Sequence, residues 1–316
     1  MDVIAHAVAH SRGLDVGTAH ATARRVHARI GKSLGEYRVE DDRGRSVDVV
    51  CKVYREAERG RAAFELLRSL GVLLAPDPSL RVVTPIAWLP ERRALIMERA
   101  PGSTLHDRLV AEPQDTLSAE RAAEWLTALH RLPPPPLLPH DGRRTALALP
   151  RLIAELGAVV APPLGERIAA TAQAIEATRP LVRRREVLRH GDFHPRNVYV
   201  GDGPSPSVVV IDVDHASLGD ADWDVAYHLG QLRVAAFDQW GDFDRLARVA
   251  HAFGARYASD LDDERRHEQR RRVPALVALT VLESLHFRRV ILRSPDAAID
   301  EAFIDDAATA LVREPW

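Results

Sequence analysis

Between Val47 and Tyr54 the chain reads VDVVCKVY, a valine-rich run in which polar and apolar residues alternate, and this predicts a strand. Ala63, Leu66, Leu67 and Leu70 then recur at helical spacing in ERGRAAFELLRSLG, so a helix follows, with Gly71 as its C-terminal stop. LRVVTPIAWL and RALIMERA predict two more strands, the second ending near Glu98. Residues 1–30, rich in alanine and histidine, read as helical. The first hundred residues therefore describe strands wrapped around one helix.

The pattern changes after APGSTL. Ser118 caps a predicted helix whose apolar face is Ala122, Trp125, Leu126 and Leu129. RLPPPPLLPHDG interrupts it, and its prolines favour an extended, stiff connector. Residues 150–160 and 164–178 read as helices, SVVVIDV as a strand, and nearly everything from Asp222 onward as helix. RRHEQRRRV (265–273) reads as a solvated helix face. The fold class expected is α+β: a β-rich lobe over 1–100 and a helical lobe over 101–316.

Composition narrows the field. At 316 residues the chain is long enough for two domains, and a net charge of −2 gives no reason to expect nucleic acid or an anionic membrane as partner. Cys51 is the only cysteine, which excludes an internal disulfide and suits a reducing compartment. The N-terminus lacks a signal-peptide pattern, and no uninterrupted apolar run reaches the roughly 18 residues of a membrane span, so a cytoplasmic protein is expected. Of the 43 basic residues only two are lysines, Lys32 and Lys52. An ammonium kept in a chain so biased towards arginine invites a reason, and Lys52 lies inside an apolar strand.

The richest chemistry is in LRHGDFHPRNVYV (188–200), which admits two readings. His190, Asp192 and His194 could hold metal ions in a hydrolase. Alternatively, the loop is spaced for phosphoryl transfer. In kinase-type chemistry a loop aspartate accepts the acceptor's hydroxyl proton, while an asparagine five residues on and an aspartate on a following strand hold magnesium. Asp192, Asn197 and Asp212 meet that spacing. Magnesium prefers such hard oxygen donors and shares its shell with nucleotide phosphates. The same mechanism needs a strand lysine paired with a helix glutamate. Lys52 is that lysine, and Glu58 and Glu65 are the candidates for its partner, Glu65 being favoured. The hydrolase reading leaves Lys52 and the Asp212 spacing without a purpose.

HGDFHPRNVYV, VVVIDVDHASLGDADWDVA, VVCKVYREAERGRAAFELLRSLG, LIMERAPGSTL and the LTALHRL before the prolines together resemble the aminoglycoside phosphotransferase and choline kinase family, over about residues 30–230. The resemblance implies a two-lobe protein-kinase-like fold and transfer of a γ-phosphoryl group from ATP, or GTP, to a hydroxyl of a small molecule. It implies Asp192 as base, Asn197 and Asp212 as Mg2+ ligands and Lys52 as phosphate contact. Asp224 would brace the catalytic loop, with His190 structural beside it, and the backbone of Glu98, Arg99 and Ala100 would hold the adenine. No G-x-G-x-x-G is present; IGKSLGEY (30–37) is the candidate phosphate loop, with Lys32 or Ser33 reaching a phosphate. A chain that binds nucleotide without turnover is the non-enzymatic alternative.

Only eleven residues separate Asp212 from Asp224, too few for a peptide-docking platform, which favours a small-molecule acceptor. Asp214, two beyond Asp212 and on the same side of the expected strand, could join the metal shell or face the acceptor. Asp220 and Asp222 either attract a cationic acceptor, such as an aminoglycoside or amino-alcohol, or are merely solvated. Asp238, Glu283 and His286 are further candidate acceptor contacts.

Overall fold

In the computed structural model, residues 3–29, 32–135, 149–178 and 186–314 are described. The chain begins α1 (Val3–Arg12), β1 (His20–Arg29), β2 (Lys32–Glu40), β3 (Ser46–Tyr54), α2 (Ala57–Leu73), β4 (Leu80–Val82), β5 (Pro85–Leu89) and β6 (Ala94–Glu98). It continues through β7 (Ser103–Thr104), α3 (Leu105–Ala111), α4 (Thr116–Arg131), α5 (Leu149–Gly157), α6 (Pro162–Ala177), β8 (Glu186–Arg189), β9 (Val198–Val200), β10 (Val208–Val210) and β11 (Ser217–Asp220). Four helices complete it: α7 (Ala221–Trp240), α8 (Ala247–Ala258), α9 (Asp263–His286) and α10 (Ala297–Ala310). Two compact units result. One is built mainly from Met1–Gly102 and Tyr199–Ala216, the other mainly from Ser103–Pro134, Asp141–Val198 and Ser217–Trp316.

In the first unit, five strands form an antiparallel sheet in the order β1-β2-β3-β6-β5. Alternation along β3 divides its side chains between two faces. Val49 and Cys51 pack with Ala5, Val8 and Ala9 of α1, while Val50, Lys52 and Tyr54 face a cleft. Burial pushes the Cys51 thiol up to about 11, so it stays a neutral core group. The helix expected over 1–30 forms only as α1. Residues 20–29 are instead a strand registered antiparallel to β2, because partner pairing outweighs the local helix preference of alanine.

LRVVTPIAWL also divides. β4 pairs in parallel with β10, whereas β5 pairs with β6, so one apolar run serves two sheets. α2 passes through Gly71 and ends only at Leu73, with Leu74 capping in a right-handed conformation. Gly71 is therefore not the stop: nothing lies within 4 Å of where its Cβ would be, and its φ is not positive. Along the former SVVVIDV run, β10 ends at Val210 and Val213–His215 form a single 3-10 turn. Asp212 and Asp214 are thus not on a strand, as expected, but at the entrance of a turn and within it.

In the second unit α4 is capped by Asp115, whose carboxylate accepts from the Ser118 N–H at 3.0 Å and from its hydroxyl. Ser118 is three residues inside the cap rather than at it. The proline connector lies largely outside the described residues. α5 and α6 occupy the segments expected to be helical, and α7 to α10 fill the C-terminal region. The basic run of α9 departs from expectation. Gln269 and Arg272 are buried, because Asp222, itself buried, accepts from Gln269 Nε2 and Arg272 Nη1, both at 2.9 Å. Arg272 also pairs with Asp220. Asp222 is therefore not solvated, and both acids are engaged by Arg272 rather than left open to a cationic acceptor. No helix among the described residues is long and apolar enough to cross a membrane.

Candidate active site

The first unit contains an open cleft of about 660 Å³. Leu34, Val50, Met97, Tyr199 and Ile211 give it apolar walls, and Glu98, Arg99 and Ala100 form one edge. At that edge the Glu98 N–H donates to the Thr84 carbonyl at 3.0 Å and the Arg99 N–H to the Asp48 carbonyl at 2.9 Å. Two of the three expected hinge N–H groups are therefore already engaged by the protein. Their side chains turn to surface ion pairs, Glu98 with Arg12 and Arg99 with Glu36.

Lys52 projects into this cleft from β3 with 4% of its surface exposed. Its ammonium lies 2.7 Å from Asp212 Oδ1 and 2.8 Å from Asp214 Oδ2. Burial works against the charge, but the two carboxylates outweigh it, and the Lys52 pKa is raised above the ordinary lysine value. Neither Glu58 nor Glu65 is its partner: Glu58 is exposed, and α2 turns Ala63 and Leu67 towards the cleft. The glutamate expectation fails because two carboxylates beyond β10 reach Lys52 instead. Asp212 takes φ 60° and ψ 56°, a left-handed conformation uncommon outside glycine and tolerated best by Asp and Asn.

IGKSLGEY is not an open loop in its described part. Lys32 and Ser33 belong to β2, registered with Tyr54 and Val53, and the residues β2 gives to the cleft are Leu34 and Glu36. Ser33 is exposed. Residues 30 and 31 and the Lys32 side chain lie outside the described structure.

The second unit holds the 190–197 loop. Asp224, fully buried at the start of α7, accepts the His190 N–H at 2.8 Å and the Gly191 N–H at 2.9 Å. His130 Nε2 lies 3.1 Å from the same carboxylate. Burial raises the Asp224 pKa, but His130 and the nearby positive charges overcome it and hold the carboxyl below its ordinary value. An ionised Asp224 can only accept, so His130 donates from Nε2, and its Nδ1 lies 2.7 Å from the Tyr257 hydroxyl. Phe193 anchors the loop from below, stacked on Trp125 with ring centroids 5.6 Å apart.

Above these anchors stands Asp192. The Tyr227 hydroxyl donates to its Oδ1 at 2.9 Å. Asn197 Nδ2 donates to the Asp192 carbonyl at 3.0 Å, which leaves the amide oxygen as the group's acceptor. Taken singly, the Asn197 amide oxygen and the Asp212 carboxylate are each of the hard donor type that magnesium favours. His190 is 1% exposed, and its Nδ1 accepts the Asp192 N–H at 3.3 Å, which makes it a loop-folding residue. Among the described residues no group of three or more His, Cys, Asp or Glu is arranged to hold a metal ion, so the hydrolase set of His190, Asp192 and His194 gains no support. Arg196 is exposed.

Three contributors escaped the sequence reading. Tyr227 lies three residues beyond Asp224, His130 closes the helix before the prolines, and Tyr54 donates to Asp214 Oδ1 at 2.8 Å. Only His130, inside LTALHRL, carried any signal, and there it was part of a motif without a role. Of the three candidate acceptor contacts, Asp238 pairs with Arg288 and His286 lies 2.6 Å from Glu155.

Comparison with solved structures gives extended likenesses at low identity. Aminoglycoside phosphotransferase APH(4)-Ia matches with TM-score 0.60 and 15% identity, over 93% of this chain and 95% of that one. Amicoumacin kinase hAmiN, in complex with AMP-PNP, Ca2+ and amicoumacin, matches with TM-score 0.60 and 12% identity, over 91% and 87%. Plasmodium vivax ethanolamine kinase matches with TM-score 0.55 and 14% identity, over 93% and 82%. These likenesses assign the fold, which is protein-kinase-like, with a β-sheet N-terminal region and a mostly helical C-terminal one. Among curated proteins no match is found. At the level of sequence, a family model described as the phosphotransferase enzyme family (APH) matches residues 28–271, most of the length that carries the cleft and the loop, and the chain belongs to that family.

Proposed function

We propose that the protein transfers the γ-phosphoryl group of a nucleoside triphosphate, ATP or GTP, to a hydroxyl of a small molecule. The observation that carries this reading is Lys52: one of two lysines in the chain, buried in an apolar-walled cleft and paired with Asp212. The base would lie between the apolar walls, against the Glu98–Ala100 backbone, and the ammonium would meet the phosphates. Asn197 and Asp212 would hold magnesium, which neutralises the charge developing on the transferred group. Asp192, oriented by Tyr227 and Asn197, would accept the proton of the attacking hydroxyl.

The three similar structures are named for chemically different small molecules, so the fold does not choose among acceptors. An aminoglycoside-type antibiotic, with resistance as its consequence, and a sugar or amino-alcohol are the acceptor classes this reading takes forward. The acceptor is the finer question. A screen for acceptor-dependent ADP or GDP release, across hydroxylated antibiotics, sugars and amino-alcohols, tests the reading. Expected are magnesium-dependent release with one acceptor class and loss of release in Lys52→Ala. Absence of nucleotide binding by the wild-type protein in calorimetry would overturn the reading.

A further inference from the structure

We propose that Asp214 is the carboxylate that positions Lys52 for the nucleotide, replacing an acid on α2; this rests on the phosphotransferase reading above. A strand lysine that contacts phosphates must be held against its own flexibility, since its four-carbon stem places the ammonium loosely. Helix α2 supplies no carboxylate to the cleft, only Ala63 and Leu67. Asp214 supplies it instead.

Its geometry is that of an internal strut. Both carboxylate oxygens are bound to protein donors: Oδ2 meets the Lys52 ammonium at 2.8 Å and Oδ1 accepts the Tyr54 hydroxyl at 2.8 Å. The backbone is tied as well, because Arg59 Nη2 donates to the Asp214 carbonyl at 3.2 Å. Tyr54 is braced in turn, edge-on to Trp88 with centroids 6.3 Å apart. Gly60 of α2 lets both rings approach; a Cβ there would lie 2.5 Å from Trp88 and 2.7 Å from Tyr54. Helix α2 therefore acts on the lysine through Arg59 and Gly60 rather than through a glutamate.

Exposure separates the two acids. The Asp212 side chain is 27% exposed and that of Asp214 is 3% exposed. Asp212 is open enough to share its carboxylate with an ion. Asp214, enclosed and doubly bound, serves the lysine.

A double-mutant cycle on nucleotide affinity, read by calorimetry at saturating magnesium, tests this. Asp214→Asn and Lys52→Ala should each weaken binding about tenfold, the scale of one charge-assisted hydrogen bond. The double variant should bind no worse than Lys52→Ala alone, because Asp214 acts only through the lysine. Tyr54→Phe, which keeps every charge, should weaken binding several-fold, and that loss should also vanish in the Lys52→Ala background. It carries the test if Asp214→Asn does not fold. Glu65→Gln should change nothing. A magnesium titration of activity completes the set: Asp212→Asn should need more magnesium and Asp214→Asn should not. Multiplicative losses in the cycle, or a raised magnesium requirement in Asp214→Asn, would overturn the proposal while leaving the phosphotransferase reading intact. Failure of the wild type to bind nucleotide would remove both.

Discussion

Asp192 carries the heaviest expectation of any residue. Its carboxylate is aimed by Tyr227 and its main chain is tied to Asn197. Asp192→Asn keeps the shape and removes the proposed proton acceptor, so kcat should fall by about 10²–10⁴ while nucleotide affinity stays near wild type. Steady-state kinetics with calorimetry on the same sample separate the two quantities. His228 makes a different prediction. It is fully buried, stacked on Phe253 with centroids 4.1 Å apart, and burial depresses its pKa to about 3. The unfolded chain takes up a proton near the ordinary histidine pKa of about 6.5, whereas the folded chain resists until far lower pH. The associated stability is therefore present above about pH 6.5 and is lost as pH falls towards 3, by about 1.4 kcal/mol per pH unit. Urea midpoints at pH 7.5 and 5 should show this acid loss, and His228→Phe should flatten it.

Among elements, α9 offers the sharpest test. Its basic run looked like solvated surface in sequence, yet Arg272 is buried against Asp222 and Asp220. Burial, then the neighbouring Asp220, push the Asp222 carboxyl above its ordinary range even with Arg272 present. Arg272→Ala would leave that carboxyl enclosed with Gln269 as its remaining side-chain donor. Breaking a buried pair typically costs 3–5 kcal/mol, and the lower end, about 3 kcal/mol, is expected because Asp222 can take up a proton. Chemical denaturation at pH 7 measures it. Asp222 lies in the first turn of α7, two residues before Asp224, so part of the loss should also appear as weakened support of the 190–197 loop.

At the scale of the whole molecule the prediction is linkage. A nucleotide bound by the folded chain alone must stabilise it by RT ln(1 + [L]/Kd), about 2.7 kcal/mol at a hundredfold excess over Kd. ATP with magnesium should therefore raise the melting temperature of the wild-type protein, and removal of magnesium with EDTA should abolish turnover. The ATP-induced rise should shrink in Lys52→Ala, whose own melting temperature supplies the baseline. No rise at millimolar ATP would count against a nucleotide site in the cleft.

Local chemistry made much of this protein legible before any coordinates. Valine-rich alternation marked β3, the apolar run RALIMERA marked β6, helical spacing marked α2 and α4, and the run from His190 to Asn197 identified its own loop because so many polar groups between apolar flanks need a purpose. The family resemblance, rather than spacing, assigned Asp224 to brace that loop, and its carboxylate accepts the His190 N–H there. What sequence could not decide were pairings between distant residues of like chemistry. Glu58, Glu65, Asp212 and Asp214 are all acids near Lys52 in one sense or another; only the turn at 212–215 and the direction of α2 select the last two. Arg272 is one arginine in a basic run, and only helix packing buries it. Residues 20–29 have helix-favouring alanines, and only the presence of β2 makes them a strand. In each case a local preference of a few tenths of a kcal/mol per residue is overruled by contacts that exist solely once the chain has folded.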